Sequence, residues 1–276
     1  MIGERRILAK TTIYIILIIF TVFTAFPYFW MVLTSFRYRD DIFSTGLRLF
    51  SKPLTLENYL VVFSRSVIPK SFFNSVVILA GTVILQISTS ALAAYSLARG
   101  KFPGVRLLIL VFLGTMMIPE EVILLPLYLV IRTMHLLDTR IGTILALSPW
   151  GLTVYILIGF FRTIPYELEE AALINGANKL QIFRLIIIPI SKPAIAAVIV
   201  FLSVAVWGHI IIPWTIIQTE GLLTVPLALK SFQRTYTMEY NLILAGATLA
   251  SIPILFVFVS LKRYFIQGLV MGSLKE

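Results

Sequence analysis

Residues 71–98 read SFFNSVVILAGTVILQISTSALAAYSLA and contain no aspartate, glutamate, lysine or arginine. A helix rises about 1.5 Å per residue, so about 20 such residues cross a hydrocarbon core of about 30 Å. Four further stretches are equally free of charge and long enough: residues 11–36, 141–161, 193–219 and 240–261. Such continuous apolar runs predict membrane-spanning helices, since strands of a membrane barrel alternate in hydropathy.

The composition of the whole chain agrees with a membrane protein. Of 276 residues, 59% are hydrophobic and 13% are charged, and the mean hydropathy is +0.96. A soluble domain carries about 25% charged residues, so this chain has too little polar surface for one. The net charge of +10 indicates loops beside anionic lipid headgroups rather than binding to nucleic acid. Without cysteine, there is neither a disulfide framework nor a thiolate metal site.

A sixth span is predicted where two glutamates, Glu120 and Glu121, interrupt an apolar stretch. We therefore expect an all-α integral membrane protein, with residues 1–276 as a single transmembrane domain. The first run is too long for the apolar region of a signal peptide, about 7–15 residues, and we expect it to remain as a span. The six spans are predicted near residues 12–36, 72–98, 107–131, 141–161, 194–217 and 241–261.

The distribution of basic residues predicts the orientation. With the amino terminus inside, the cytoplasmic segments are residues 1–10, 99–106, 162–192 and 262–276, and they hold 13 of the 23 lysines and arginines. Basic residues near the ends of spans favour the cytoplasmic side. We expect a multi-pass protein of the plasma membrane with both termini in the cytoplasm.

The loop between the fourth and fifth spans reads IPYELEEAALINGANKLQIFRLIIIPISKP, residues 164–193. Pro165 suits the first turn of a helix, and the acidic side chains Glu167, Glu169 and Glu170 favour the positive end of that helix. Gly176 is suited to the left-handed conformation that ends a helix. This half of the loop therefore predicts a short helix that stops at Gly176.

The second half of the loop predicts another helix, near residues 178–187. The 3–4 spacing of Leu180, Phe183 and Ile187 places them on one face, and Pro189 ends the helix before the fifth span. Two short helices joined at a glycine form a compact knob (residues 165–189) on the membrane surface. The paired alanines Ala171 and Ala172 in the first helix permit close approach of another protein.

The order of residues in this knob is E-A-A, three residues, G, nine residues, and I-x-aliphatic-P. It is met by Glu170, Ala171, Ala172, Gly176, Ile186, Ile188 and Pro189. The pattern resembles the signature loop of the membrane subunits of binding-protein-dependent ABC importers. The chain is most similar to the second permease subunit of the maltose/oligosaccharide/glycerol-phosphate uptake group. Flanking motifs carry the same resemblance: Trp30-Met31, Asn58-Tyr59, Phe73-Asn74-Ser75, Leu125-Pro126-Leu127-Tyr128, and Gly272 with Lys275.

The resemblance implies that the knob docks into a groove on an ATPase subunit and transmits its closure to the spans. The residues it implies for this contact are Glu167, Glu169, Glu170, Ala171, Ala172, Asn175, Gly176, Phe183 and Pro189. It also implies three kinds of protein partner: a second homologous permease subunit forming a heterodimer, two ATPase subunits, and an extracytoplasmic substrate-binding protein. The family commonly has aspartate at position 175 and asparagine at position 208, where this chain has Asn175 and Gly208.

No G-x-x-x-x-G-K-[ST] phosphate-binding loop occurs in the sequence. We therefore expect a chain that is not an enzyme and binds no cofactor directly, with ATP and Mg bound by the partner ATPase. No combination of nucleophile and base, and no cluster of histidines and carboxylates, predicts a catalytic or metal site. The resemblance implies that the chain translocates a sugar or a related small polar solute.

Four polar or aromatic residues within the spans are candidates for the translocation path. Glu120 and Glu121 either line the path or its outer gate, or pair with a basic group or mark a local break in the third span. His209 and Trp207 in the fifth span either contact a sugar or make ordinary contacts between helices. Both interpretations stay open from the sequence alone.

Two other functional classes fit a helical membrane protein. A stand-alone secondary transporter or channel would show repeated, interrupted halves or ion ligands within the membrane, and the sequence shows no clear repeat. An integral membrane enzyme would require catalytic residues that are not evident. Sugars, short oligosaccharides and glycerol-phosphate-type solutes all remain possible as the solute.

Overall fold

The computed structural model describes residues 2–44, 53–64, 67–232 and 239–273, and every regular element in these ranges is a helix. The predicted all-α class is confirmed; the terminal motif residue Lys275 lies outside the described residues. The chain forms two compact units. One comprises Met1–Ile68 and Leu229–Ser251, and the other comprises Pro69–Ala228 and Ile252–Glu276. That the whole chain acts as a single transmembrane domain stays a prediction.

The helices of the described ranges follow one another with short connections. In chain order they are α1 (Ile2–Ser35), α2 (Arg39–Ser44), α3 (Glu57–Ser64), α4 (Val67–Arg99), α5 (Val105–Thr115), α6 (Glu120–Thr133), α7 (Arg140–Leu147), α8 (Gly151–Phe161), α9 (Glu167–Ile174), α10 (Lys179–Ile190), α11 (Lys192–Trp207), α12 (Ile211–Ile216), α13 (Val225–Leu229) and α14 (Tyr240–Ser273).

Three continuous helices are long and apolar enough to cross a membrane. They are Lys10–Ser35 within α1, Val67–Arg99, which is α4, and Tyr240–Tyr264 within α14. These ranges agree with the predicted first, second and sixth spans. Their length follows from sequences that contain few charges and no helix-breaking cluster of proline and glycine.

The predicted third and fourth spans are each divided into two helices by a bend. In place of residues 107–131, α5 and α6 meet at 103°; in place of residues 141–161, α7 and α8 meet at 52°. A proline follows the first helix of each pair, Pro119 before α6 and Pro149 before α8. Proline has no N–H for the helix ladder and disfavours helical geometry in the preceding residue, so each span breaks there.

The predicted fifth span, residues 194–217, is also divided. Helix α11 begins at Lys192 after a bend of 74° from α10, and it ends at Trp207. The chain then passes Gly208 and forms the short helix α12. Glycine weakens a helix through its backbone freedom, and Gly208 takes the position directly after the last turn of α11.

The core of the second unit joins α4, α8, α10 and α11. Its fully buried members include Ala94, Leu157, Phe161, Ile187 and Leu202. Alanine at position 94 lets the neighbouring helices approach α4 closely, since the side chain adds only a methyl group. This packing fixes α10 against the cytoplasmic end that we predict for α4.

The buried side chains of α10 differ in one position from those that the spacing predicted. Phe183 and Ile187 are buried as expected, but Leu180 is 57% exposed and Ile182 takes its place in the core. The core contacts α10 only from Ile182 onwards, so the first turn projects beyond it. A π-helical turn at Phe183–Ile187 also changes the angular spacing on which the prediction depended.

In the first unit, Asn58 closes the carboxyl end of α1. Its side-chain amide donates to the carbonyl oxygens of Ser35 and Arg37, at 2.8 and 2.9 Å, and its own oxygen accepts from Asn241 at 2.7 Å. Asn58 is 5% exposed. These bonds satisfy carbonyl groups that a helix end otherwise leaves unpaired.

Candidate functional site

The knob is attached to α4 through Glu169. This side chain is buried, and its Oε1 lies 2.6 Å from Nε of Arg99 at the end of α4. The Arg99 N–H is not aligned for a hydrogen bond with this oxygen, so the contact is an ion pair. Arg99 also donates through Nη2 to the carbonyl oxygen of Ile164 at 2.7 Å. One arginine thus holds both the entry to the knob and its first helix.

A tyrosine one turn earlier on α4 completes the attachment. The Tyr95 hydroxyl donates to Oε2 of Glu169 at 2.9 Å. Its ring lies 5.2 Å from the ring of Phe183 and 6.5 Å from that of Phe161, between centroids. We call Tyr95, Arg99 and Glu169 the knob anchor. It links α4 to both helices of the knob, since Glu169 belongs to α9 and Phe183 to α10.

The opposite surface of the knob is open. Of the residues predicted to contact an ATPase, Glu169 and Phe183 face inward and Ala172 is half-buried, while the others are exposed: Glu167, Glu170, Ala171, Asn175, Gly176 and Pro189. Leu173 and Ile174 at the end of α9 are 46% and 87% exposed. The open surface therefore combines acidic side chains with an apolar tip.

The turn between the two knob helices is fixed by local chemistry. Gly176 has a φ of +84°, which L side chains rarely adopt, and it follows the carboxyl end of α9. Asn178 then caps α10: its side chain accepts from the N–H of Gln181, and the Gln181 side chain accepts from the N–H of Asn178. This reciprocal capping box starts α10 immediately after the turn.

A second feature is a cavity of about 450 Å³ that lies where three spans are interrupted. We call it the break cavity. Its walls include Ile118 from the break before α6, Pro149 and Trp150 from the break before α8, and His209 from the break after α11. Interrupted helices of this kind expose backbone and polar side chains to an enclosed space, as at the binding sites of other transport proteins.

Two of the predicted path residues meet in the break cavity. Nε2 of His209 lies 3.0 Å from Oε2 of Glu120, and both residues line the cavity. The contact joins two breaks, since Glu120 starts α6 and His209 follows α11. Within the described residues, Oε1 of Glu120 and Nδ1 of His209 are buried and have no hydrogen-bond partner. Glu120 thus contacts a residue of another span and lies at a helix break, and whether it also lines a translocation path stays a prediction.

The other two path candidates lie elsewhere. Glu121 is exposed and does not line the break cavity. Trp207 is 7% exposed and its ring lies 6.3 Å from that of Phe72, so it packs between helices. Within the described ranges there is no group of three or more histidines, cysteines or carboxylates that could hold a metal ion.

At the other end of α4, a loop after α12 is held by Asp138. The carboxylate accepts hydrogen bonds from the hydroxyl and the N–H of Thr219 and from the N–H of Gln218. These three donors, led by the Thr219 hydroxyl, lower the pKa of Asp138 below its ordinary value. Asn74 fixes the next part of the loop by donating to the carbonyl oxygens of Gly221 and Leu223.

Several of these functional residues were not among the sequence-based candidates. Tyr95 and Asp138 gave no signal, because their partners lie far away in the sequence, 74 residues in the case of Tyr95 and Glu169. Trp150, which lines the break cavity, was not a candidate either. Leu173 and Ile174 offered a usable signal: two large apolar residues just before the helix-ending glycine in a loop expected to face water.

Comparison with known proteins places these features in context. The family model described as binding-protein-dependent transport system inner membrane component matches residues 86–270. An arabinooligosaccharides transport system permease protein of Bacillus subtilis (strain 168) is 30% identical over 253 residues, covering 91% of this chain and 90% of that protein. A trehalose transport system permease protein of Mycobacterium tuberculosis (strain CDC 1551 / Oshkosh) is 32% identical over 232 residues, or 83% and 85% of the two chains.

A solved structure extends the comparison to the fold. A chain of a bacterial ABC transporter involved in the import of the acidic polysaccharide alginate superposes with a TM-score of 0.79. The match covers 94% of this chain and 97% of that one, at 21% sequence identity. At this identity the likeness concerns the fold.

Proposed function

Because the chain belongs to the family of binding-protein-dependent transport system inner membrane components, we propose that it is the permease subunit of an ATP-driven importer for a sugar or a related small polar solute. The named relatives act on arabinooligosaccharides and trehalose, which supports a saccharide as the solute. An extracytoplasmic binding protein hands the solute over. The chain lies in the plasma membrane with both termini in the cytoplasm.

The observation that carries this proposal is the construction of the knob. Its inner side is tied to a membrane-spanning helix by Glu169, and its outer side presents an apolar tip at Leu173 and Ile174 beside the exposed Glu170. Large apolar side chains exposed on a surface rimmed by charge are typical of a protein–protein contact. A movement of whatever binds the tip therefore reaches α4 through the knob anchor.

The partner on this surface is an ATPase subunit, which binds ATP and Mg and performs the hydrolysis. One copy contacts the knob of this chain, and a second copy contacts the corresponding loop of a homologous permease subunit, with which this chain forms a heterodimer. The exposed residues Glu167, Glu170, Ala171, Asn175 and Gly176 form the contact. Phe183 and Glu169 transmit the movement from beneath it.

The break cavity supplies this chain's part of the translocation path. It brings Glu120 and His209 together at the interruptions of two spans and has a volume suited to a small solute. Trp207 contributes indirectly by packing α11 against α4 through Phe72.

The proposal is tested by purification in detergent with the candidate partner subunits. We expect the wild-type chain to copurify with an ATPase and to support ATP-dependent uptake in proteoliposomes that contain the binding protein. Glu170→Lys reverses the charge on the exposed surface of the knob and should abolish uptake while the chain remains in the membrane. Glu57→Lys is the matched control, because Glu57 is also an exposed glutamate in the first turn of a helix but lies outside the knob.

Two results would contradict the proposal. Uptake by the purified chain alone, without ATP, would identify a stand-alone secondary transporter or channel. Full ATP-dependent uptake by both Glu170→Lys and Gly176→Pro would exclude the knob as the contact with the ATPase.

A further inference from the structure

The pair in the break cavity has a defined set of hydrogen-bonding atoms. In its ionised form the Glu120 carboxylate only accepts hydrogen bonds, so Nε2 of His209 must carry the hydrogen in the 3.0 Å contact between them. Nδ1 of His209 accepts a hydrogen bond in the neutral ring and donates one in the charged ring. Of the two atoms without a partner among the described residues, Oε1 of Glu120 is therefore an acceptor, and Nδ1 of His209 can pair with a hydroxyl group in either form of the ring, since a hydroxyl both donates and accepts.

Buried acceptors without donors are unfavourable, and a bound group with O–H or N–H donors relieves them. The Glu120 side chain is 35% exposed and that of His209 is 18% exposed, which leaves both side chains room to turn towards a solute. The cavity therefore presents one hydrogen-bond acceptor, Oε1 of Glu120, and one ring nitrogen of His209, and a hydroxyl group can satisfy both.

The remaining wall of the break cavity is apolar or uncharged. Among its lining residues there is no lysine or arginine, and Glu120 is its one acidic member. Trp150 contributes an aromatic ring, and Ile123, Leu127 and Ile212 contribute aliphatic surface. A carboxylate or phosphate on a solute would meet the Glu120 carboxylate with no lysine or arginine in the wall to compensate for the like charges.

From these observations we infer that the break cavity takes a neutral, hydroxyl-bearing solute and rejects acidic and phosphorylated ones. A sugar unit of this class donates a hydroxyl hydrogen to Glu120, forms a hydroxyl hydrogen bond with His209 and places its apolar face against Trp150. Glycerol phosphates, which the sequence left open as solutes, are excluded, as are acidic saccharides. The inference rests on the proposed function, since it names the solute class of the same path.

The test uses the absence of cysteine from the chain. A single cysteine is introduced in the break cavity by Ala205→Cys, and the rate of its modification is measured in the purified assembly. The probes are methanethiosulfonate reagents of similar size, one with a trimethylammonium group and one with a sulfonate group. The control is Ala93→Cys in a neighbouring cavity of about 430 Å³, which shares Thr115, Pro149 and Trp150 with the break cavity but whose lining includes no charged residue.

At each position we take the rate of cysteine modification by the trimethylammonium reagent divided by the rate with the sulfonate reagent. We expect this ratio at position 205 to exceed the ratio at position 93 by about tenfold, since a charged cleft concentrates ions of the opposite charge. Adding Glu120→Gln should bring the two ratios together. Ile123→Cys repeats the measurement from another part of the wall if Ala205→Cys does not assemble. A cationic-to-anionic rate ratio at position 205 that does not exceed the ratio at position 93 would overturn the inference.

Failure of this inference and failure of the proposed function give different results. An assembly that couples ATP hydrolysis to uptake but shows no preference for the cationic reagent contradicts the solute class alone. A strong preference in a chain that binds no ATPase contradicts the importer proposal and leaves the charge character of the cavity in place.

Discussion

Glu169 and Glu170 are neighbours in α9, yet their surroundings are opposite. Glu169 is buried against Arg99 and Tyr95, whereas Glu170 is exposed. Glu169→Gln should lower the free energy of unfolding by about 3 kcal/mol, because it leaves Arg99, whose side chain is 14% exposed, without its counter-charge. The measurement is the unfolding of the purified chain in detergent, followed by temperature or denaturant.

Glu170→Gln is the matched control for this stability effect. A change of an exposed side chain should leave the free energy of unfolding within about 0.5 kcal/mol of wild type. Its effect should fall instead on the coupling of ATP hydrolysis to uptake. If the two variants lose the same stability, Glu169 does not anchor the knob.

The contribution of Asp138 to the stability of the loop after α12 depends on pH. Its pKa is lowered in the folded chain by the hydrogen bonds from Thr219 and Gln218. Its stabilisation of the loop is therefore complete above the pKa of an unfolded aspartate, about 3.9, and is lost as the pH falls through the lower folded value. Hydrogen exchange of residues 217–222, corrected for the intrinsic rate, should show protection at pH 7 that decreases below about pH 4.

Asp138→Asn should weaken this protection at neutral pH and remove most of its change with pH, since the amide does not titrate. Thr219→Val removes the hydroxyl donor but keeps both backbone donors, so it should give an intermediate result. Protection that is identical in wild type and Asp138→Asn would show that other contacts hold the loop.

Backbone strain at Gly176 can test how the turn between α9 and α10 is formed. Gly176 has a φ of +84° and open space where a Cβ would lie, so Gly176→Ala adds backbone strain without a clash. We expect a loss of about 1 kcal/mol in stability. Gly159→Ala is the control, because Gly159 also has open space but lies within helix α8, where alanine should be neutral or stabilising. Equal effects of the two changes on thermal unfolding would argue against strain at Gly176.

The sequence predicted some elements well, and the reason is physical. Hydropathy identifies α1, α4 and α14, because a span without interruption is defined by composition over about 20 residues. It does not reveal the breaks at Pro149 and Gly208, since one proline or glycine hardly changes the mean hydropathy of its run. The turn of the knob at Gly176 could be predicted from the sequence, because the left-handed conformation that ends a helix depends mainly on the residue at that position.

The side chains of the candidate sites were harder to assign. Spacing within α9 does not tell which of its glutamates faces inward, because the partner Arg99 comes from another helix. Glu120 and His209 were both candidates, but their contact depends on two breaks that bring distant segments together. Trp207 was a candidate for sugar contact or for packing between helices, and its ring packs against Phe72.

The orientation of the molecule can be tested with the cysteine-free chain. Glu167 lies in the knob and Glu220 in the loop beyond α12, and both side chains are exposed. A membrane-impermeant maleimide added to intact cells should label Glu220→Cys and should label Glu167→Cys only after permeabilisation. The reverse pattern would place the termini and the knob outside the cytoplasm.

The knob anchor and the pair in the break cavity share no residue. Tyr95, Arg99 and Glu169 hold the knob, whereas Glu120 and His209 belong to the interrupted spans. If the chain functions as we propose, substitutions in the cavity alter the accepted solute without disturbing the attachment to the ATPase. On that proposal, new nutrient preferences can evolve by a few changes at the breaks while a common energy-supplying subunit is retained.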